Sequence, residues 1–328
     1  MRKDYILSLL YDNLNSWLSG EHISEKLKIS RTAIWKYINA LRESGYNIES
    51  SSKKGYRLIA SGDIFNEFEI TKNLNTEIIG KKNIYIFQET DSTNIQAFSL
   101  ASQGLEEGAI IIAESQTSGK GRLSRKWISP SGKNLYLSII LRPKILTYHA
   151  PRLTIATAVS LSETLDDFKI FDHRIKWPND ILINERKLSG ILTEMKGDRD
   201  TVDFAVIGVG VNLNSSFNDY PDEIRDSVIS LKEFTNTEIN RIEFLQSFLA
   251  NFERNYFHFI QGGFNEILGK WIEKSSIINQ KIRVTEHDNI FTGIVTEVTS
   301  EGNLIVMADK KIHIVNSGDI NYITEPQE

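Results

Sequence analysis

Residues 109–127 read AIIIAESQTSGKGRLSRKW, a short apolar run that leads directly into a loop rich in glycine and basic side chains. The apolar run predicts a buried strand, because a few such residues bounded by turn signals are typical of one. The two glycines would let the loop backbone approach a phosphate closely, and the basic side chains would supply positive charge. The alternative is a solvated basic loop. The basic residues are Lys120, Arg122, Arg125 and Lys126.

A second polar group, Asp91-Ser92-Thr93-Asn94, follows a strand predicted at Ile84 to Phe87. Consecutive small polar residues at the end of a strand offer several hydrogen-bond donors and acceptors in little volume, which suits a compact polar ring. The alternative is an ordinary N-cap for the helix that follows.

A third group begins with Lys176-Trp177-Pro178-Asn179-Asp180 and continues, through a strand and a turn at Glu185 and Arg186, into KLSGILTE at residues 187–194. Pro178 fixes the chain, and the next two residues add polar groups. Lys187 lies beside small residues, where it could neutralise a carboxylate or a phosphate, although a lysine in a turn can simply be solvated.

A fourth group, Gly208-Val209-Gly210-Val211-Asn212-Leu213, takes a buried strand into glycines and then an amide side chain. The amide of Asn212 could bond the edge of an adenine ring or hold a turn.

Around these groups, in residues 69 to about 270, patterns typical of strands alternate with patterns typical of helices. This alternation predicts an α+β core built on one large sheet. Short strands separated by polar turns then predict a small β-barrel over about 271–328. The core strands are expected at Ile84 to Phe87, Ala109 to Ala113, Leu135 to Leu141, Ile181 to Asn184, Gly190 to Met195 and Val202 to Val209, with helices at Pro151 to Phe168 and Arg241 to Phe259. The barrel strands are expected at Lys281 to Thr285, Phe291 to Val298, Asn303 to Met307 and Lys311 to Ile314.

The first sixty residues predict three helices and a hairpin. Ser30 is suited to cap the third helix, whose apolar residues Ile34, Ile38 and Leu41 repeat on one face. The residues between them point outward, as in a recognition helix, and the following hairpin has a basic turn. This pattern resembles a winged helix-turn-helix, and a helical domain used for protein contacts is the alternative. The candidate DNA-binding residues are Arg31, Thr32, Trp35, Lys36, Lys53 and Lys54, with Asn39 on the same face.

Charge and composition limit the function classes. Residues 1–60 contain ten Lys/Arg and six Asp/Glu, a net charge of +4, whereas the remaining 268 residues carry −9. A basic head on an acidic body suggests two kinds of partner. The absence of cysteine excludes disulfides, thiolate zinc sites and a cysteine nucleophile. No apolar stretch is long enough to span a membrane, so we expect a cytoplasmic protein.

Taken together, these groups resemble biotin-protein ligases, specifically the bifunctional class that also represses the biotin operon, and the resemblance covers essentially the whole chain. It rests on the Asp-Ser-Thr-Asn string, the Gln-x-x-Gly-x-Gly-Arg loop ending in Arg-Lys-Trp, the Lys-Trp-Pro-Asn-Asp and Lys-x-x-Gly-Ile-Leu pair, the Gly-x-Gly-x-Asn-Leu turn and the winged head. It implies a winged helix-turn-helix at 1–62, a mixed-sheet, class II synthetase-like ligase domain at 68–270 and an SH3-like β-barrel at 271–328, with a linker near Ser61 to Phe68.

The resemblance also implies roles for individual residues. Biotin would be held at its ureido and ring end by Ser92, Thr93, Asn94 and Gln116, with Lys120, Gly121 and Arg122 in the loop that closes over it. The carboxylate and the α-phosphate would face Arg122, Arg125 and Lys187. Trp127 would stack on adenine, Asn212 would bond its edge, and Asp180 would lie near the phosphate and its Mg²⁺.

The chemistry agrees with this set of residues. A carboxylate that attacks the α-phosphate of ATP brings two anions together, so the reaction needs cations where the charge gathers. Adenylation yields a mixed anhydride, and a closed loop would keep water away until a carrier lysine arrives. No protein nucleophile is required.

The sequence departs from the family pattern in two places. The loop commonly reads Gly-Arg-Gly-Arg, and here Lys120 keeps the charge but loses the bidentate fork. Val228-Ile229-Ser230-Leu231 stands for the usual Ala-Thr-Ser-Leu, so no role is carried onto those residues.

The implied partners are a biotin carboxyl carrier protein, of acetyl-CoA carboxylase or pyruvate carboxylase, and operator DNA of biotin genes, with a homodimer when ligand is bound. Two other functions stay open. One is a non-catalytic repressor that senses a metabolite through a ligase-like domain, although such a sensor has no need to keep Arg122, Arg125 and Lys187 together. The other is a lipoate or octanoyl transferase of related fold, although the Arg-Arg and Gly-Gly-Gly motif of that group is missing.

Overall fold

The computed structural model describes residues 2–59, 63–286 and 289–323 of the 328-residue chain. Contacts divide the chain into two compact units, Met1–Lys72 and Asn73–Glu328. No helix among the described residues combines the length and apolar character needed to cross a bilayer. This division into two units does not decide whether the chain has three domains. The boundaries of the three predicted domains therefore stay a prediction.

The first unit is the winged helix-turn-helix expected from the sequence. Its core contains Ile23, Ile34, Ile38, Leu41 and Leu58, none of them exposed. Its elements are α1 (Arg2–Tyr11), α2 (Gly20–Leu27), α3 (Arg31–Glu43), β1 (Ile48–Ser51), β2 (Gly55–Leu58) and α4 (Glu67–Lys72).

Local chemistry fixes the ends of these elements. Ser30 caps α3, as predicted, by accepting a hydrogen bond from the Ala33 N–H at 3.2 Å. The turn between β1 and β2 ends at Gly55, which has a φ of 98°. A Cβ on Gly55 would lie 2.7 Å from Ser19 Cα, so the wing needs glycine at this position.

The segment expected to be an irregular linker is partly helical, because α4 already begins at Glu67. Glu69 joins α4 to the rest of the first unit. Its buried carboxylate accepts hydrogen bonds from the Tyr11 and Tyr46 hydroxyls at 2.7 and 2.8 Å. Burial, reinforced by this carboxylate, raises the pKa of Tyr46 far above its ordinary value. Residues 60–62 of the linker region lie outside the described part of the chain.

The second unit is built on a mixed seven-stranded sheet with the strand order β3-β4-β5-β9-β8-β7-β6. Only the β3–β4 pairing is parallel. The strands are β3 (Ile84–Phe87), β4 (Ile110–Ala113), β5 (Leu135–Leu141), β6 (Arg174–Lys176), β7 (Asp180–Ile183), β8 (Arg186–Gly197) and β9 (Val202–Val211). Strand β8 begins earlier than predicted, so Lys187 lies in a strand; the preceding turn is formed by Asn184 and Glu185, both with positive φ.

Helices cover both faces of this sheet. Helix α5 (Thr93–Ser102) packs through Ala97 and Ala101 on one face. Helix α6 (Pro151–Asp167) reaches the other face, where Thr154 and Thr193 hydroxyls are 2.8 Å apart. Because strand side chains alternate, Leu192 and Glu194 point to the α5 face. The remaining helices are α7 (Asp222–Arg225), α8 (Leu231–Thr235), α9 (Arg241–Ile260) and α10 (Phe264–Ser275).

The C-terminal strands form a five-stranded sheet of their own, in the order β13-β12-β11-β10-β14. All its pairings are antiparallel, as in the expected small barrel. Among the described residues no pairing joins the two edge strands, so the sheet is compatible with an SH3-like barrel but is not closed. The strands are β10 (Lys281–Glu286), β11 (Asn289–Val298), β12 (Leu304–Ala308), β13 (Lys311–Val315) and β14 (Asp319–Tyr322).

Candidate functional site

A cavity of about 380 Å³ lies on the α5 face of the seven-stranded sheet. It brings together every residue to which the family resemblance gave a role toward biotin or ATP, although these residues span 121 positions of the chain; Asp91 and Gly119 are not among its lining residues. Its lining includes Ser92, Thr93, Asn94, Gln116, Lys120, Gly121, Arg122, Arg125, Trp127, Asp180, Lys187 and Asn212.

The basic loop is an ordered hairpin over the cavity. Gly121 N–H donates to Arg125 O at 2.7 Å, and Trp127 N–H donates to Gly119 O at 2.8 Å. At its tip, Leu123 and Ser124 both have left-handed backbones, with φ of 53° and 60°. Non-glycine residues adopt this conformation at a cost, so the hairpin tip is strained.

One end of the cavity is lined by small polar side chains. Gln116 Oε1 accepts a 2.8 Å hydrogen bond from the Thr93 N–H, and Gln116 Nε2 donates to Ser129 Oγ at 3.0 Å. Ser92 occupies the N-cap position of α5, but its side chain makes no capping hydrogen bond. Capping therefore does not account for the Ser92 side chain.

The hairpin arginines contact the C-terminal sheet, which the sequence analysis did not foresee. Arg122 donates to Asn179 Oδ1 and to Gly318 O, each at 3.2 Å. Its guanidinium lies 3.9 Å from the Asp319 carboxylate, and burial lowers its pKa. Arg125 forms an ion pair with the same carboxylate. The turn before β14 therefore forms part of the cavity wall.

Two lysines also line the cavity. Lys187 Nζ is 2.8 Å from Asp180 Oδ1, and it lies 5.5 Å from the centre of the Trp127 ring. Asp180 Oδ1 is buried. Lys187 Nζ lies close to it, but no donor among the described residues meets it with hydrogen-bond geometry, so it can still accept a hydrogen bond. Burial lowers the pKa of Lys176, a cavity residue to which the sequence analysis gave no role.

The cavity extends along Trp127, whose indole lies on a glycine of β8 and a glycine of β9, and we call this part of the cavity the slot. A Cβ on Gly210 would be 2.7 Å from Trp127 Nε1, and one on Gly190 would be 3.0 Å from Trp127 Cζ3. Only glycine therefore leaves room for the indole at Gly210. The slot can take a planar aromatic ligand against the ring.

Asn212 also lines this part of the cavity, and its side-chain oxygen can still accept a hydrogen bond. Its Nδ2 donates to Lys187 O and Ile229 O at 3.3 and 3.2 Å, so both amide hydrogens are used within the protein. Its Oδ1 is buried and has no hydrogen-bond partner. A ligand that satisfies this oxygen must present a donor.

The segment that departs from the family pattern also contributes to this wall. Lys187 N–H donates to Ser227 O at 2.8 Å, and Ile229 N–H donates to Lys187 O at 3.1 Å. Ser227 and Val228 line the cavity. From the sequence Val228 received no role and Ser227 was not named, because a short segment that is placed by its pairing with β8 carries no local signal.

No group of three or more His, Cys, Asp or Glu residues in the described parts of the chain could hold a metal ion.

The first unit presents its predicted residues to solvent. Trp35 is 54% exposed at the start of α3, and Trp17 packs under Arg57, whose guanidinium lies 4.8 Å from the ring centre. This stacking joins the wing to the segment before α2, and the sequence analysis assigned no role to either residue. The residues Arg31, Thr32, Trp35, Lys36, Lys53 and Lys54 are all exposed, and Asn39 is half-buried.

Three families match successive parts of the chain. The HTH domain family matches residues 2–57, the Biotin/lipoate A/B protein ligase family matches residues 86–212, and the Biotin protein ligase C terminal domain family matches residues 277–321.

Individual proteins are similar over longer stretches. The Bifunctional ligase/repressor BirA of Bacillus subtilis is 38% identical over 320 residues, which is 98% of each chain. The Biotin--[acetyl-CoA-carboxylase] ligase of Paracoccus denitrificans is 32% identical over 212 residues, covering 62% of this chain and 88% of that protein. The solved structure of the biotin protein ligase from Aquifex aeolicus in complex with biotin and ATP has a TM-score of 0.63 and 29% identity, covering 74% of this chain and all of that one.

Proposed function

The chain belongs to the family of bifunctional biotin ligase/repressors, and on that premise we propose that the cavity under the hairpin is where it activates biotin and transfers it to a carrier lysine. The protein is an ATP-dependent biotin-protein ligase that also represses transcription. In the first step the biotin carboxylate attacks the α-phosphorus of ATP, and pyrophosphate leaves. In the second step the amine of a carrier lysine attacks the acyl carbon, and AMP leaves with the bonding electrons.

One observation carries this proposal. The lining of one cavity combines small polar side chains, a cluster of cations and an indole. Those are the three environments that a ureido ring, a carboxylate with a phosphate, and an adenine need. The ureido and ring end would bind to Ser92, Thr93, Asn94 and Gln116, with Lys120 and Gly121 in the hairpin above.

The cations would act on the developing negative charge. Lys187, Arg122 and Arg125 would face the carboxylate and the α-phosphate, where positive charge placed in advance stabilises the transition state. Arg122 donates to Gly318 O just before β14, and Arg125 pairs with Asp319, the first residue of β14. We propose that they exchange these partners for phosphate oxygens, and that the hairpin then keeps water from the mixed anhydride.

At the other end Trp127 would stack on adenine and Asn212 would bond its edge. Because only Asn212 Oδ1 remains for the ligand, the side chain would accept from the exocyclic amine of adenine. A guanine would place a carbonyl oxygen against the same acceptor, so the geometry favours ATP over GTP.

Mg²⁺ fits this site only together with ATP. Magnesium in nucleotide sites takes one or two carboxylates and completes its shell with phosphate oxygens and water. Asp180 is suited to be that carboxylate, because its Oδ1 is buried and faces a single cation, the Lys187 ammonium at 2.8 Å, among the contacts of the described residues. Bound there, the ion would supply positive charge at the phosphate oxygens, while Lys187 would face the substrate carboxylate.

For the second step we propose a biotin carboxyl carrier protein, of acetyl-CoA carboxylase or pyruvate carboxylase, as the acceptor. The name of the Paracoccus relative supports the first of these. For repression we propose that ligand-bound chains form a homodimer whose two heads bind a palindromic operator of biotin genes in the cytoplasm, since paired recognition helices match the two-fold symmetry of such a site.

The decisive experiment is biotin-dependent exchange of labelled pyrophosphate into ATP by the full chain, with Arg122→Ala as the test variant. Exchange that requires biotin and falls sharply in the variant supports adenylation at this cavity. If biotin binds but no exchange occurs, the ligase assignment fails and a metabolite-sensing repressor takes its place. A gel shift on the biotin promoter, with biotin and ATP present, tests repression separately.

A further inference from the structure

A single row of residues crosses five strands beneath the cavity. Each residue of the row lies directly opposite the next in the sheet register, and the row consists of Tyr136, Gly210, Gly190, Asp180 and Lys176. Directly opposed residues share one face of a sheet, and all five line the cavity. Because β6 is the last strand of the sheet, the row ends with Lys176 at the sheet edge.

The ammonium of Lys176 has no partner of its own in the cavity. The three cations proposed to face the carboxylate and the α-phosphate each pair with a carboxylate, that of Asp180 or Asp319. Among the described residues, none forms a hydrogen bond or an ion pair with the half-buried side chain of Lys176. Burial lowers the pKa of this ammonium, because a charge removed from water is destabilised. A bound anion would offset that cost.

We infer that Lys176 binds the β- and γ-phosphates of ATP and holds the pyrophosphate that leaves in the first step. This inference rests on the proposed function of the cavity. From the sequence Lys176 received no role, although it begins the third polar group.

The order of the row gives the direction in which the nucleotide would lie. Trp127 lies on Gly210 and Gly190, where the adenine would bind, and Asp180 comes next, at the proposed place of the α-phosphate. Neighbouring strands are about 4.8 Å apart, so the backbone of Lys176 lies about 10 Å from that of Gly190 and beyond Asp180. A triphosphate that continues in this direction brings its terminal phosphates to Lys176.

The backbone that carries Lys176 is held in place by the turn that follows it. Trp177 is buried, and its Nε1 donates to Gly302 O at 3.1 Å. Asn179 Nδ2 donates to Ile191 O at 2.8 Å. The lysine is therefore attached to a fixed hairpin before any ligand binds, as electrostatic stabilisation of a transition state requires.

The two steps of the reaction make different demands on this residue. In the first step the bond between the α-phosphorus and the bridging oxygen breaks, and pyrophosphate leaves with the electron pair. Negative charge then grows on the leaving group, where a cation stabilises the transition state. The biotinyl adenylate that remains contains no pyrophosphate. Lys176 should therefore act on ATP and pyrophosphate but not on the adenylate.

The test uses Lys176→Met in the full chain, which removes the charge and keeps an apolar stem of similar length. We would measure the KM values of ATP and of inorganic pyrophosphate in biotin-dependent exchange. Isothermal titration would give the Kd of a non-hydrolysable sulfamoyl analogue of the biotinyl adenylate. We expect both KM values to rise by about 10-fold or more, as for the loss of a hydrogen bond to a charged group. The Kd of the analogue should be unchanged, which would also show that the variant is folded.

Two further variants make the result specific. Lys196→Met, at an exposed lysine of β8, should match the wild type in all three values. Arg122→Ala should weaken the analogue as well as ATP, because Arg122 is proposed to face the α-phosphate. Unchanged KM values in Lys176→Met would overturn the inference, and so would a loss of analogue binding as large as the rise in the KM for ATP. If wild-type protein lacks biotin-dependent exchange, it is the proposed function that fails instead.

Discussion

The guanidinium of Arg122 donates to the carbonyl oxygen of Gly318 from both terminal nitrogens, at 3.2 Å each. This contact joins the tip of the hairpin to the turn before β14. Arg125 instead meets Asp319 at the surface, where its own side chain is 65% exposed. Two arginines proposed to face the same anions are therefore held in different ways.

We expect Arg122→Ala to reduce kcat/KM for ATP in pyrophosphate exchange by about 100-fold or more, the loss typical of one cation or donor at a developing charge. Arg125→Ala should cost about 10-fold at most, because an exposed ion pair contributes little. Arg122→Lys should not restore activity, since an ammonium lacks the planar fork that spans two acceptors. Equal losses in both alanine variants would contradict this ranking.

The slot beside Trp127 yields a second prediction. Gly210→Ala would place a methyl group 2.7 Å from Trp127 Nε1 and Cζ2, and closer still to Cε2, so the ring must move from its position. Overpacking of this kind costs a few kcal/mol. We therefore expect the KM for ATP to rise by about 10-fold or more, while the Kd for biotin stays nearly unchanged. Isothermal titration and exchange kinetics check the two values.

The matched control for that substitution is Gly269→Ala on α10, where a Cβ meets nothing within 4 Å. Alanine favours a helix over glycine by about 1 kcal/mol, so this variant should be equally active and slightly more stable. Equal losses of ATP binding in the two variants would show that the effect at Gly210 is not local.

Much of this architecture could be predicted because short-range patterns specify it. The apolar repeat at Ile34, Ile38 and Leu41 and the Ser30 cap define α3, and the apolar run before the basic loop defines β4. The candidate residues could also be named, since each group lies next to a strand end where polar side chains converge.

What could not be predicted depends on contacts distant in sequence. Arg122 meets Gly318 across 196 residues, and Asn94 meets Glu194 across 100. The hydroxyl oxygens of Thr93 and Ser138 lie 2.8 Å apart across 45 residues, and Ser138 carries no signal in a strand otherwise built of apolar residues and Tyr136. Such pairings come from tertiary packing, which local periodicity does not encode.

The first unit offers a test that is independent of catalysis. Lys36, Lys53 and Lys54 are exposed on α3 and the wing, and each is proposed to neutralise an operator phosphate. Replacing any one with alanine should reduce the slope of log Kd against log salt by about 0.9 per lost contact. Fluorescence anisotropy at several salt concentrations measures it. Lys311→Ala, an exposed change in β13, should leave the slope unaltered.

A final relationship concerns stability rather than binding. His173 is buried, and its ring nitrogens lie 2.8 Å from Ile170 O and 2.7 Å from Ser162 Oγ. A carbonyl oxygen only accepts, so Nδ1 carries the hydrogen and Nε2 accepts from the serine hydroxyl. Burial lowers the pKa of His173 below 6.5, with Lys274 acting in the same direction.

The sign of the resulting pH dependence follows from proton binding. Below about pH 6.5 the unfolded chain protonates this histidine while the folded protein does not, so the free energy of unfolding should decrease as pH falls from about 7.5 toward 5. Urea unfolding across that range should show a shallower decrease for His173→Gln than for wild type, whereas the exposed His22→Gln should match wild type. Carboxyls with lowered pKa, such as Asp219, titrate below this window. Parallel curves for all three proteins would mean that His173 is protonated equally in both states.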